Sequence, residues 1–183
     1  MDLTLHNATL SGQTGETMDI GVHAGKIVEI AGAGQLEKGD RALELEGQLV
    51  LPGFVETHIH LDKSCLLDRC QMKGGLDDAI KEVVGLKAAF TEEDVAARAK
   101  KTLRKCVLNG TTQMRTHVEV DPVVGLRGIE GVKAAIAEFA WAIDVEICVF
   151  PQDGLLNNPG TDELMVAALH DCAGSVGAAP YTD

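Results

Sequence analysis

From Pro52-Gly53 onward the chain alternates short apolar runs with longer amphipathic ones, and this alternation constrains the fold more than any other feature of the sequence. Phe54 to His60 reads as a strand and Leu76 to Phe90 as a helix. Thr91-Glu92-Glu93-Asp94 is a capping-box-like start for a second helix, which Asn109-Gly110 stops. Thr111 to Val120 is the next strand, and Ile129, Val132, Ile136, Phe139 and Ile143 then mark one apolar face of a helix. Val145 to Phe150 is a nearly continuous apolar strand, Thr161-Asp162-Glu163 opens a last helix, and Ser175 to Pro180 reads as a fourth strand. Strands alternating with helices imply parallel pairing through right-handed crossovers. The expected class is α/β. Four parallel strands are half of what a closed (β/α)₈ barrel uses. They would leave two open edges, which compact proteins avoid, so we expect the N-terminal part of something larger.

Residues 1–52 follow another period. Leu3-Thr4-Leu5-His6-Asn7-Ala8 and Asp19-Ile20-Gly21-Val22-His23 alternate, Gly25-Lys26 turns the chain into Ile27-Val28-Glu29-Ile30, and Leu43 to Val50 looks like a hairpin. Such runs predict a small antiparallel, β-sandwich-like unit over 1–52, followed by the first half of a barrel over 53–183. The unit looks too small to close its own core.

Composition removes several function classes. A formal net charge of −12 makes nucleic acid or an anionic membrane a poor partner. No apolar run approaches the ~20 residues of a membrane span, and Met1-Asp2-Leu3-Thr4 has no secretory character. Five cysteines without a CxxC pair point to reduced thiols and a cytoplasmic protein. A homo-oligomer is compatible with all of this.

The chemistry begins at His58-Ile59-His60. Residues i and i+2 of a strand share a face, so the two imidazoles project together, with Glu56 and Phe54 expected below them and Val55, Thr57 and Ile59 opposite. Two imidazoles at one strand end suit a shared divalent ion, and the C-terminal strand end is where barrel enzymes place their chemistry. A bare H-x-H is more often a lining pair without metal; here the preceding Pro-Gly-Phe-Val-Glu and the following β/α series favour the metal.

The string Val50-Leu51-Pro52-Gly53-Phe54-Val55-Glu56-Thr57-His58-Ile59-His60-Leu61-Asp62-Lys63 resembles the amidohydrolase superfamily, and within it the cytosine deaminase-like branch, which includes enzymes acting on aminated triazine rings. The resemblance continues in Met114 to Val120, in Val149-Phe150-Pro151-Gln152-Asp153-Gly154 and in Val176 to Pro180. It implies that His58 and His60 bind one divalent metal ion, Zn or Fe, and that Gln152 and Lys63 contact the substrate, a small nitrogen heterocycle. It further implies hydrolytic loss of ammonia or an amine from a ring carbon, with the remaining ligands and acid/base groups on later strands. The isolated chain is then expected to be inactive, with no catalytic acid or base among its own residues.

The same resemblance leaves His117 lining the pocket rather than binding metal. Absence of a lysine from Ser175-Val176-Gly177-Ala178-Ala179-Pro180 favours a one-metal site over the lysine-bridged pair. Bland readings stand beside these. Gln152 could cap a loop, Lys63 could pair with Asp62, and His6, His23 and His170 carry no functional signal. Alternative functions are a non-catalytic module that binds a partner chain and a cyclic-amide hydrolase.

Overall fold

The computed structural model describes residues 1–13, 15–71 and 74–183, which form two compact units, Met1–Pro52 and Gly53–Asp183. In the first, strands β1 (Leu3–Leu10), β2 (Met18–His23), β3 (Lys26–Gly32), β4 (Arg41–Glu44) and β5 (Leu49–Val50) make one mixed sheet. β1–β2 and β2–β3 are antiparallel, as runs joined by short turns such as Gly25-Lys26 predict. The stretch 43–50 is not a hairpin: β4 and β5 each run parallel to β1, along successive parts of it. Period-2 patterning reports which face a side chain occupies, not which strand lies beside it. The register slips within β1 around Asn7, which has φ 56°. Asn7 Nδ2 donates to Glu44 Oε1 at 2.7 Å, and the Asn7 carbonyl accepts the Gly47 amide, also at 2.7 Å. Beneath the sheet, the buried Asp19 carboxylate accepts the amides of Asn7, Gly34 and Leu36 and lies 3.2 Å from His6 Nδ1. His6 is thus committed to structure.

The second unit is a parallel sheet in the order β6 (Phe54–Ile59), β7 (Thr111–Glu119), β8 (Asp144–Phe150), β9 (Ser175–Val176). Helices α1 (Leu76–Lys87), α2 (Glu92–Leu108), α3 (Arg127–Phe139) and α4 (Thr161–Asp171) connect them. Thr91 caps α2, its hydroxyl accepting the Asp94 amide at 3.2 Å. The core lies between sheet and helices, where Met114, Val118, Ile147 and Val149 meet Val95, Ala99, Leu103, Ile129, Val132 and Ala135. β9 is shorter than the apolar run suggests. The Gly177 amide still donates to the Val149 carbonyl, after which the chain turns, with Thr182 N–H on the Ala179 carbonyl. α1 ends at Lys87 rather than Phe90, and the chain tightens into i→i+3 turns, with Ala89 N–H on the Leu86 carbonyl and Phe90 N–H on the Lys87 carbonyl. The Lys87 side chain joins a buried ion cluster at the strand ends. No helix among the described residues is long and apolar enough to cross a membrane.

Candidate metal and substrate site

The site is built at the C-terminal ends of β6, β7 and β8. Between β6 and β7 the register has an irregularity: Glu56 and Ile59, three residues apart, oppose Met114 and Thr116, which are two apart. One extra residue in a strand is a β-bulge, and it resets the alternation. Glu56 therefore shares the helix-side face of Met114 and does not sit below the histidines as simple period-2 counting predicts. Its charge contributes to raising the Cys106 thiol on α2, behind the larger effect of burial. Ile59 packs into the core, which leaves His58 and His60 together on the other face.

Three imidazoles meet there. The ring centroids of His58 and His60 are 5.3 Å apart, and His117 from β7 stacks on His58 at 4.1 Å. His60 Nδ1 lies 3.0 Å from the His117 carbonyl oxygen. A carbonyl can only accept, so Nδ1 carries the proton and Nε2 presents a bare lone pair. Burial, with the Lys63 charge beside it, pushes the His60 pKa down to about 4, so the ring is neutral near pH 7. Burial lowers His117 too, and its buried Nδ1 has no hydrogen-bond partner. A neutral imidazole whose far nitrogen is fixed by a carbonyl is the form in which histidine binds a metal.

Beyond β6 the chain makes a single 3₁₀ turn, Leu61–Lys63, clamped from α2 by Arg98 Nη1, which donates to the carbonyls of Asp62 (2.6 Å) and Ser64 (3.0 Å). Asp62 is buried, accepts the Glu119 amide at 3.1 Å and has its pKa raised by that burial. Lys63 does not hydrogen-bond to it. The Lys63 ammonium instead lies 2.6 Å from Glu119 Oε2 and 5.1 Å from the centre of the Phe150 ring. Glu119 Oε1 in turn accepts from Lys87 at 2.8 Å, and Lys87 also contacts Asp121 and Asp153. Among the described residues, Glu119, Asp121 and Asp153 are the one carboxylate group close enough to hold an ion together, but the Lys87 ammonium already occupies their midst.

A cavity of about 320 Å³ opens beside this network, with Lys63, Glu119, His60 and Gln152 on its polar side and Ala79, Ile80, Val83 and Val84 of α1 opposite. Gln152 lines the cavity, and its Nε2 donates to the hydroxyl of Tyr181, which lines it too, at 2.8 Å. The fold thus brings His58, His60, Lys63 and Gln152 to one end of the sheet. Cys65 is exposed and meets only Thr102, at 3.6 Å. Two members escaped sequence reading. Glu119 is one polar residue in a strand. Lys87 sits in the last turn of a helix, where a lysine ordinarily complements the helix dipole.

Residues 41–164 match the amidohydrolase family. The chain belongs to that family. It is similar to 5-methylcytosine deaminase from Klebsiella pneumoniae, with 32% identity, a TM-score of 0.89, and coverage of 98% of this chain and 44% of that one. It is also similar to N-isopropylammelide isopropylaminohydrolase from Burkholderia multivorans, with 30% identity, a TM-score of 0.82, and coverage of 96% and 44%. Among curated amidohydrolases, the N-isopropylammelide isopropyl amidohydrolase of Pseudomonas sp. (strain ADP) is 29% identical over 174 residues, 92% of this chain and 43% of that protein. The chain therefore spans less than half the length of these relatives.

Proposed function

We propose that this chain is part of a metal-dependent hydrolase that cleaves a C–N bond on a small nitrogen heterocycle, deaminating a cytosine-like or aminotriazine-like ring. The observation that carries this reading is the fixed tautomer of His60, with its Nδ1 proton on the His117 carbonyl, its Nε2 bare and His58 beside it. The relatives support the substrate class, since one is a 5-methylcytosine deaminase and two act on N-isopropylammelide.

The residues fit a divalent ion, Zn²⁺ or Fe²⁺, which His58 and His60 would hold; two imidazoles are half of a tetrahedral set, so further ligands come from a longer chain. When bound, the ion lowers the pKa of water from ~15.7 toward ~7 and so supplies hydroxide at neutral pH. The other side chains position the ring. Lys63, aimed by Glu119, donates to a ring carbonyl. Gln152, oriented by Tyr181, offers its amide oxygen and second N–H to the donor/acceptor edge of the heterocycle. The α1 wall of Ala79, Ile80, Val83 and Val84 takes the apolar ring face and excludes bulk water. With no lysine between Ser175 and Pro180 to bridge a second ion, one metal per site is the simpler reading.

The full-length gene product, loaded with Zn²⁺ or Fe²⁺ and offered aminated pyrimidines and triazines, is expected to release ammonia or an alkylamine from at least one ring. Failure of the metal-loaded protein on every ring would contradict the reading.

A further inference from the structure

Lys87 is the least expected residue of this end of the sheet. A lysine is almost never fully buried unless paired, yet its side chain is 2% exposed. Its ammonium meets three carboxylates from two strand ends: Glu119 on β7, Asp121 just beyond it, and Asp153 past β8. Hydrogen bonds to these carboxylates raise its pKa despite desolvation, and it is charged throughout the neutral range. Without that charge, three carboxylates whose oxygens lie within 4.8 Å of one another would repel. Glu119 is shared, with Oε1 on Lys87 and Oε2 on Lys63. Lys87 also ends α1, the helix whose Ala79, Ile80, Val83 and Val84 form the apolar wall of the cavity.

We propose that Lys87 is a positioning residue: by fixing Glu119 it sets the aim of Lys63 into the cavity, and so tunes selection of rings that carry a carbonyl oxygen. This inference rests on the substrate reading of the cavity but assigns a role to a residue which that reading leaves unused. Removing Lys87 leaves Glu119 repelled by Asp121 and Asp153. Lys63 then loses its fixed partner while the histidines are untouched.

Two measurements on the metal-loaded full-length protein test it. The first is a double-mutant cycle of Lys87→Met and Lys63→Met, read on a ring amine with a carbonyl and on one without. Lys87→Met should raise KM on the carbonyl-bearing ring about tenfold with metal content unchanged, and add little once Lys63 is already Met. A loss that simply adds to that of Lys63→Met, or falls equally on both rings, would reduce Lys87 to a structural part and overturn the proposal. The second needs no substrate. Acetic anhydride labelling, mapped by mass spectrometry, should reach Lys63 several-fold faster in Lys87→Met, with Lys100 and Lys133 as internal references. Unchanged Lys63 labelling overturns the proposal; faster labelling in a protein that turns over no ring sustains Lys87's role while refuting the substrate reading. If Lys87→Met does not fold, Glu119→Gln, which keeps the shape and removes the shared charge, should give the same labelling increase, and its failure to do so counts equally against the proposal.

Discussion

His60 lends one ring nitrogen to the His117 carbonyl and keeps the other bare, and its burial holds it neutral. This has a sign that can be checked in metal-free protein. The folded ring takes its proton only near pH 4, whereas an unfolded histidine takes it near 6.5. Between those values the unfolded state binds more protons, so stability falls as pH is lowered through that window. After allowance for solvent screening of a partly exposed ring, His60 should contribute about 1–2 kcal/mol of that loss. The unfolding free energy lost between pH 7 and pH 4, measured in urea, should therefore be smaller by this amount in His60→Asn than in the parent; an identical pH slope in both proteins would show that His60 is not held neutral. The pair His58 and His60 was legible in the sequence because the spacing, the strand end and the Pro-Gly lead-in coincide. The place of Glu56 was not, because a bulge leaves no mark in a six-residue strand. The Lys63–Glu119–Lys87 chain was hidden for another reason: its members come from three elements and only tertiary structure joins them.

The helices show where periodicity suffices. The apolar stripe Ile129, Val132, Ile136 and the Thr91 cap place α3 and α2 to within a few residues, since each rests on local chemistry. How closely the two helices pack depends on a residue the stripe does not flag. A Cβ on Gly131 would lie 2.6 Å from the Glu92 carbonyl oxygen and 2.6 Å from Val95 Cβ. Neither backbone nor a buried Cβ yields easily, so Gly131→Ala should destabilise the second unit by about 1–3 kcal/mol despite its better helix propensity. Denaturant unfolding of the variant tests this; a neutral or stabilising effect would mean that α2 and α3 do not approach this closely at Gly131. The hairpin expected over 43–50 failed at this scale as well, because alternation cannot tell a parallel neighbour from an antiparallel one.

Over the whole molecule, the β/α order predicts the parallel sheet, and the structure adds the cavity that His60, Lys63, Glu119 and Gln152 share at the C-terminal strand ends. β6 and β9 are edges of this sheet among the described residues. Near the other end of the strands, Val55, Thr57, Gln113, Met114, Arg115 and Glu146 are among the residues lining a second opening of about 560 Å³. A parallel sheet with unpaired edges suits a segment of a larger barrel, in keeping with coverage of 43–44% of the relatives' lengths. We propose that His58 and His60 are the metal ligands that define this site. Metal content of the full-length protein, measured by plasma mass spectrometry after dialysis, tests it most directly. About one Zn or Fe per chain is expected in the parent, as for a single-ion site, with near-complete loss in folded His58→Ala and in folded His60→Ala. Stoichiometric metal in both variants would contradict it.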